Sequence, residues 1–259
     1  MKAIKELGQH FLTDGSIADA IVDLADIQKG EDVWEIGPGP GILSAALLAS
    51  GATVRAFELD KRMAELLGSR FQDNFALVLK DILKVDWTAE LAAYPVPIKL
   101  VANIPYQITS PLLYMLEEHS ASFQCIVLML QKEVAERLAA NPGNKSYGPL
   151  TLRLGLKYDT QIKIMVSKEN FDPVPKVDSA VVLMRPRAIP ALIEHPDVYR
   201  RVITAAFAHR RKTLRNNLIP LVGRPHLTAL ETCGIDLGRR AETLSEADFI
   251  RLSDLVAAL

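Results

Sequence analysis

The chain has 259 residues, of which 49% are hydrophobic and 24% charged, a composition typical of a globular protein with one large core and room for a small second domain. No segment approaches the roughly 20 consecutive apolar residues of a membrane helix, and charged residues interrupt any apolar signal-peptide core at the N-terminus. The formal net charge of −1 selects no partner by itself, and the two cysteines and five histidines lack the spacing of a metal site or a disulfide framework, so the sequence predicts a cytoplasmic, metal-free protein.

From about residue 32 to residue 166 the chain alternates between strand-like and helix-like segments, the pattern of an α/β protein with a parallel sheet. The predicted strands lie at residues 32–36, 53–58, 75–80, 98–102 and 125–130. The predicted helices lie at residues 41–49, 60–71 and 111–119, and the last of them opens on a proline. Two further strands, at residues 161–166 and 176–184, are predicted to close the sheet.

A segment with two prolines, residues 185–190, then breaks this pattern and is predicted to be a linker. Beyond it, apolar residues recur at helical spacing, which predicts helices at residues 198–208, 213–219, 225–233 and 245–258. Ser245, followed three residues later by Asp248, is a helix N-cap signal. We therefore expect an α/β domain at residues 1–187 and a small all-helical C-terminal domain at residues 188–259.

Three glycines follow the first predicted strand and open the first predicted helix, at Gly37, Gly39 and Gly41. Glycine lets a backbone approach a ligand closely, so this turn indicates a nucleotide-type cofactor. The spacing is G-x-G-x-G, and Ile42 stands where the dinucleotide fingerprint G-x-G-x-x-G has its third glycine. The alternative for this turn is a tight strand-to-helix connection without a ligand.

Acidic residues end the next two predicted strands. Glu58 lies 21 residues after Gly37, where a carboxylate can bind ribose hydroxyls through both of its oxygens. Asp81 follows the third strand with Ile82 beside it, a pair suited to holding an adenine. An acid after a strand is also a common helix cap. Three such features on the face where α/β sheets bind ligands nevertheless favour an adenosine-containing cofactor.

The fourth predicted strand delivers an amide, a proline and an aromatic ring to its carboxyl end, in Asn103, Pro105 and Tyr106. The amide and nearby backbone carbonyls can accept hydrogen bonds from an exocyclic amine, and the tyrosine ring offers a stacking face. Taken alone, Tyr106 is better explained as a core aromatic. Together with the glycine spacing, the motif favours S-adenosylmethionine over NAD as the cofactor and predicts an enzyme that acts on the amino group of a base.

Positive charge is concentrated between Tyr199 and Pro225, where seven basic residues occur without any Asp or Glu, so the rest of the chain carries −8. The residues predicted to contact RNA phosphates are Arg210, Arg211, Lys212 and Arg215. Lys145, in a loop at residues 141–148, is a further candidate, with a mobile connector as the alternative. The alternatives for the basic segment are a solvated helix face or ion pairs with the acidic remainder of the chain.

Six segments resemble, in this order, the ribosomal RNA adenine dimethyltransferase family: residues 7–12 (LGQHFL), 35–39 (EIGPG), 103–106 (NIPY), 130–134 (LQKEV), 171–181 (FDPVPKVDSAV) and 210–216 (RRKTLRN). The resemblance implies a Rossmann-like, S-adenosylmethionine-dependent methyltransferase sheet at residues 1–187, followed by the helical domain. It also implies dimethylation of the N6 amino groups of two adjacent adenosines near the 3′ end of small-subunit rRNA. The partner is then an immature ribosomal subunit, and the protein is expected to be a monomer.

The resemblance also implies roles for individual residues. The family's cofactor contacts correspond to His10, Leu12, Gly37, Glu58, Asp81 and Asn103, and Gly39 belongs to the same loop. Tyr106 is implied to stack on the target base and Phe171 to close its other face, which requires the base to leave its own stack. The chain departs from the family at His10, a position where asparagine is common.

Three alternatives remain at the level of the sequence. A large-subunit rRNA adenine-N6 methyltransferase of the macrolide-resistance type shares the motif at residues 103–106. A ribosome-assembly factor would use the same RNA surface, with binding mattering more than catalysis. An NAD-dependent oxidoreductase is the generic alternative, which the missing third glycine disfavours.

Overall fold

The computed structural model describes residues 3–188, 191, 193–231 and 234–259, apart from the side chain of Lys5. The chain divides into two compact units: the first comprises Met1–Ala135 and Tyr158–Pro186, and the second comprises Glu136–Lys157 and Arg187–Leu259. The sequence predicts a single boundary at residue 187. In the structure, residues 136–157 also belong to the second unit, because their apolar side chains pack in its core.

The first unit is built on a seven-stranded sheet and a separate pair of two-residue strands. The strands are β1 (Phe11–Leu12), β2 (Asp32–Ile36), β3 (Thr53–Glu58), β4 (Phe75–Leu79), β5 (Ile98–Asn103), β6 (Phe123–Gln131), β7 (Tyr158–Val166), β8 (Phe171–Asp172) and β9 (Ser179–Pro186). The order in the sheet is β4-β3-β2-β5-β6-β9-β7, with β2 to β6 parallel and β9 antiparallel to both of its neighbours. The predicted α/β class and parallel sheet are therefore confirmed.

Two details of the strands differ from the prediction. The pair β1–β8 is absent from the predicted elements because each strand has only two residues, too few to show any periodicity. The strand β9 begins at Ser179, three residues later than predicted, because its pairing with β6 and with β7 starts at that residue.

The described helices are α1 (Gly15–Ala25), α2 (Ile42–Ala49), α3 (Lys61–Arg70), α4 (Trp87–Leu91), α5 (Thr109–Glu118), α6 (Lys132–Leu138), α7 (Pro149–Gly155), α8 (Pro196–Ala206), α9 (Leu214–Val222), α10 (Leu227–Glu231) and α11 (Glu246–Ala257). Predicted and observed bounds agree within a few residues for α2, α3, α5, α8, α9 and α11. None of the helices in the described ranges is long and apolar enough to cross a membrane.

Helix α1 is the main element of the first unit that the sequence analysis leaves out. Its buried residues, Ala18, Ile21, Val22 and Ala25, recur at the spacing of one helix face and belong to the main core cluster. Asp14 caps the helix by accepting a hydrogen bond from the Ser16 backbone N–H at 2.9 Å. The helix thus covers the sheet that carries the strand ends described below.

The second unit has its own core, and that core explains why residues 136–157 belong to it. Tyr147, Leu152 and Leu156 are buried in one cluster with residues of α8, α9 and α11. The predicted cap of α11 is confirmed, because the Ser245 N–H donates to Asp248 Oδ2 at 2.9 Å and the Asp248 N–H donates to Ser245 Oγ at 3.2 Å. The predicted helix at residues 225–233 is a 3₁₀ turn followed by α10, and positions 232 and 233 lie outside the described residues.

Candidate active site

One pocket of the first unit lies at the carboxyl ends of β2, β3, β4 and β5. Its lining includes every residue of this unit that the sequence analysis assigns to cofactor or base: His10, Leu12, Gly37, Gly39, Glu58, Asp81, Asn103, Tyr106 and Phe171. The chain order reverses between β2 and β5, so this is the switch point at which open α/β sheets bind ligands. The topology brings together residues that are up to 161 positions apart in the sequence.

The glycine-rich turn lines this pocket through residues 37–40. Gly39 has φ 55° and Gly41 has φ 86°, a left-handed conformation that other L-residues rarely adopt. A Cβ at Gly39 would lie 3.0 Å from the Phe11 ring, and one at Gly41 would lie 2.7 Å from Leu67. Glycine is therefore required at both positions on conformational and steric grounds, because neighbouring side chains of the same unit pack against the turn.

The Glu58 carboxylate is more constrained than the sequence implies. Its Oε1 accepts the backbone N–H groups of Leu59 and Asp60, both at 2.8 Å, and its Oε2 accepts that of Gly39 at 3.1 Å. A carboxylate offers about four acceptor positions, so about one remains, on Oε2. A ribose contact through Oε2 needs no rearrangement, whereas the predicted contact through both oxygens requires Oε1 to release a backbone N–H.

Asp81 performs the helix-capping role that the sequence leaves open as an alternative. Its Oδ1 accepts the Leu83 N–H at 3.0 Å at the start of a 3₁₀ turn, and its Oδ2 lies 3.9 Å from the exposed Lys84 ammonium. Capping occupies one oxygen and holds the side chain at the pocket wall beside Ile82. The two roles are therefore compatible, and the capping contact orients the carboxylate.

Asn103 and Tyr106 stand at the end of β5. Asn103 is half-buried, and its amide makes no hydrogen bond to any residue in the described ranges. The Tyr106 hydroxyl shares a 2.8 Å hydrogen bond with Ser179 Oγ, which fixes the direction of the ring. The ring itself stacks on His10, with centroids 5.7 Å apart and an interplanar angle of 28°.

An N-terminal arm, residues 7–12, forms another wall of the pocket. Leu12 pairs with Phe171 through β1 and β8, and His10 Nδ1 lies 2.6 Å from the Pro173 carbonyl oxygen. Phe171 lines the pocket but is only 3% exposed, because most of its ring packs in the core. Gln9 has no predicted role, but its Nε2 donates to Asp60 Oδ2 at 2.9 Å and connects the arm to the loop that follows β3.

Glu35 is a second pocket residue that the sequence analysis does not assign. It lies one residue before the end of β2, is 1% exposed, and accepts a 2.6 Å hydrogen bond from Ser44 Oγ at Oε2. Its Oε1 has no partner among the described residues. Burial raises the pKa of this carboxyl from 4.5 to about 8; the Ser44 bond opposes that rise and the charge of Glu58 adds to it.

Glu35 predicts a pH dependence of stability. A folded-state pKa above the ordinary value means that the folded protein binds the extra proton, so stability falls as pH rises from about 4.5 to about 8. Glu35→Gln keeps the acceptor for Ser44 and cannot ionise, so it should flatten this fall and be more stable at pH 8 by up to roughly 5 kcal/mol. Urea denaturation of both proteins from pH 5 to pH 9 measures the difference, and parallel pH profiles would contradict the assignment.

The basic residues predicted to bind RNA lie in the second unit, and two of the five have carboxylate partners. Arg215 forms an ion pair with Glu231, and Arg210 Nη1 lies 3.8 Å from Glu242 Oε2. Arg211 and Lys212 are exposed, and no ion pair links either of them to another described residue. The alternative prediction, that these basic residues form ion pairs with acids elsewhere in the chain, therefore holds for Arg215 and in part for Arg210.

The structure offers no grouping for a metal: no three His, Cys, Asp or Glu side chains in the described part of the chain lie close enough to hold an ion. The predicted pocket residues share one site, and the predicted phosphate-binding residues divide into paired and exposed ones.

Comparisons with known proteins give one consistent family. A family model described as ribosomal RNA adenine dimethylase matches residues 1–258. A protein of Lactobacillus delbrueckii subsp. bulgaricus, named ribosomal RNA small subunit methyltransferase A, is 41% identical over 271 residues, covering 99% of this chain and 92% of the relative.

Two solved structures resemble the whole chain. A dimethyladenosine transferase from Plasmodium falciparum gives a TM-score of 0.80 at 30% identity and covers 94% of this chain and 96% of its own. The 23S rRNA methyltransferase ErmE gives 0.71 at 26% identity, with 95% and 99% covered.

Proposed function

The chain belongs to the ribosomal RNA adenine dimethylase family, and from that premise we propose that it transfers methyl groups from S-adenosylmethionine to the N6 amino groups of two adjacent adenosines near the 3′ end of small-subunit rRNA. The observation that carries the proposal is that Asn103 and Tyr106 share one pocket with the glycine turn, Glu58 and Asp81. A cofactor held by the turn and the acids is then next to a base held by Asn103.

The residues present fit S-adenosylmethionine. Residues 37–40 of the glycine turn line the pocket, where their backbone can approach a ligand, and Glu58 Oε2 has acceptor capacity for a ribose hydroxyl. The Asp81 carboxylate and Ile82 offer an acceptor and an apolar surface for the adenine. We assign His10 and Leu12, in the N-terminal arm, to the wall that closes over the cofactor.

Methyl transfer to this amine depends more on positioning than on acid–base catalysis. An adenine N6 is a weak nucleophile because its lone pair is delocalised into the ring. Hydrogen bonds from N6–H to Asn103 Oδ1 and to a backbone carbonyl near Pro105 favour a pyramidal nitrogen with a more available lone pair. S-adenosylmethionine supplies a methyl group on a positively charged sulfur, so the substitution needs little further activation.

Tyr106 orients the base in this scheme. Its hydroxyl is anchored to Ser179, so its ring is held in place to stack on a flipped adenine. His10 stacks on one face of that ring, and a base that uses this face displaces the imidazole. We assign Phe171, which lines the pocket and is almost fully buried, to the other side of the base.

The large-subunit alternative is a second candidate because the chain resembles the 23S rRNA methyltransferase ErmE over nearly its whole length. The small-subunit assignment is favoured by relatives of that name at 41% identity, against 26% for ErmE. We propose an immature small ribosomal subunit in the cytoplasm as the partner, with the enzyme acting as a monomer.

A turnover assay distinguishes these candidates. Radiolabelled S-adenosylmethionine is incubated with the protein and either immature small subunits or large subunits, and N6,N6-dimethyladenosine is measured. Label in the small-subunit RNA supports the proposal. Label in the large-subunit RNA supports the alternative, and binding to small subunits without label indicates an assembly factor.

Neutralising Arg211 and Lys212 should weaken RNA binding and flatten its salt dependence. Each lost phosphate contact lowers the magnitude of the log–log slope by roughly 0.7–0.9, so the Arg211→Gln/Lys212→Gln variant should lose roughly twice that. The matched control is Arg224→Gln, which removes an exposed charge elsewhere in the second unit. Filter binding over a range of salt concentrations measures the slope, and an unchanged slope in the double variant would remove these two residues from the RNA surface.

A further inference from the structure

The Arg210 side chain is directed at another loop of its own unit. Its Nη2 donates to the Tyr147 carbonyl oxygen at 2.9 Å, and its Nη1 donates to that of Lys145. The carboxylate of Glu242 lies 3.8 Å from Nη1. The planar guanidinium therefore donates hydrogen bonds to two backbone carbonyls of one loop, and a nearby carboxylate offsets its charge.

The loop that Arg210 holds is the one that carries Lys145, at residues 141–148. Its start is fixed by the Gly143 N–H, which donates to the Glu242 backbone carbonyl at 2.7 Å. Its end is fixed by Tyr147, which is 3% exposed. Between these two points, the Ser146 N–H donates to Asn144 Oδ1 at 2.8 Å and the Tyr147 N–H donates to the Asn144 carbonyl at 3.0 Å, which closes a turn across Lys145. The bond from Arg210 to the Lys145 carbonyl anchors this turn to the rest of the unit.

The turn that carries Arg210, at residues 209–213, is fixed independently. Asn217 Nδ2 donates to the carbonyl oxygens of Ala206 at 2.6 Å and His209 at 3.1 Å, and the Lys212 N–H donates to that of His209 at 2.9 Å. This turn also carries the exposed Arg211 and Lys212. Arg210 thus links a rigid basic turn to the loop that carries a third exposed cation.

We infer that Arg210 is a positioning residue, whose guanidinium places Lys145 on the same phosphate-binding surface as Arg211 and Lys212 without itself binding phosphate. The inference rests on the proposed RNA-binding function of this surface. It predicts that charge alone cannot replace Arg210. A lysine has one compact ammonium group and cannot reproduce the planar fork that spans both carbonyls.

The test compares charge-conserving with charge-removing variants of the full chain, using the target rRNA and filter binding across a salt series. Arg210→Lys should reduce the magnitude of the log–log salt slope by roughly 0.7–0.9, as Lys145→Gln does, because in both cases one phosphate contact is lost. The double variant Arg210→Lys/Lys145→Gln should show no further loss. Arg211→Lys, the matched control, should keep the wild-type slope.

Hydrogen exchange provides a second measurement on the same variant. In Arg210→Lys, amides at residues 141–148 should exchange faster while those of α8 and α9 keep their protection. Faster exchange throughout α8 and α9 would mean a general structural role and would overturn the inference.

Two other results of the salt series would contradict the inference, each for a different reason. If Arg210→Lys retains the wild-type slope while Arg210→Gln loses it, Arg210 is a direct phosphate contact and the inference is wrong. If Lys145→Gln and Arg211→Gln both leave the slope unchanged, the proposed RNA surface fails and the inference fails with it.

Discussion

Replacing Asn103 by alanine is expected to lower the single-turnover rate of methyl transfer about 100- to 1,000-fold, the loss found when one preorganised hydrogen-bonding group is removed from an active site. Asn103 ends β5 inside the pocket, and its amide has no partner in the described ranges, so its oxygen is available to the N6 amino group. RNA affinity should be unchanged, because the amide acts on one nitrogen and the proposed phosphate contacts belong to the second unit.

Single-turnover rates and filter binding on the same RNA test this prediction. Gln124→Ala removes an amide from an exposed position of β6 that does not line the pocket, so it is the matched control. A parallel fall of rate and RNA affinity in Asn103→Ala would indicate a structural role for the amide.

The second large effect is expected at Glu58. Glu58→Ala should raise the dissociation constant of S-adenosylmethionine roughly 10- to 150-fold, corresponding to a charge-assisted hydrogen bond of about 1.5–3 kcal/mol. The same change leaves the N–H groups of Gly39, Leu59 and Asp60 without their acceptor. The melting temperature should therefore also fall, which a carboxylate that contacts only the cofactor would not cause.

Calorimetric titration and thermal denaturation separate the two effects. Glu65→Ala, which removes an exposed acid from α3, is the control and should change neither quantity appreciably. Unchanged cofactor affinity in Glu58→Ala, even with a lower melting temperature, would limit Glu58 to holding the glycine turn.

The sheet was predictable from the sequence because buried parallel strands are continuous apolar runs. Residues 125–130 show this most clearly, since all six are apolar and buried in β6. The assignment of residues 136–157 was not predictable in the same way. The apolar spacing of Leu152 and Leu156 predicts burial, but it does not say which of two cores receives the side chains.

The pocket residues were predictable because parallel topology places successive strand ends at one edge, so Glu58, Asp81 and Asn103 had to lie near one another. Their hydrogen bonds were not predictable, since they depend on where backbone N–H groups point. The pairing of Arg210 and Arg215 was likewise hidden. A count of charges along residues 199–225 cannot reveal that Glu231 and Glu242, which lie later in the chain, approach these arginines in the folded unit.

The most direct test of the proposed activity maps methylated adenosines in rRNA from cells with and without this chain. Cells that have the protein should carry two adjacent N6,N6-dimethyladenosines near the 3′ end of small-subunit rRNA. Both should be absent in cells that lack it and should return with the wild-type chain but not with Asn103→Ala. Unaltered small-subunit modification in cells that lack the chain, or a loss confined to large-subunit rRNA, would contradict the proposed activity.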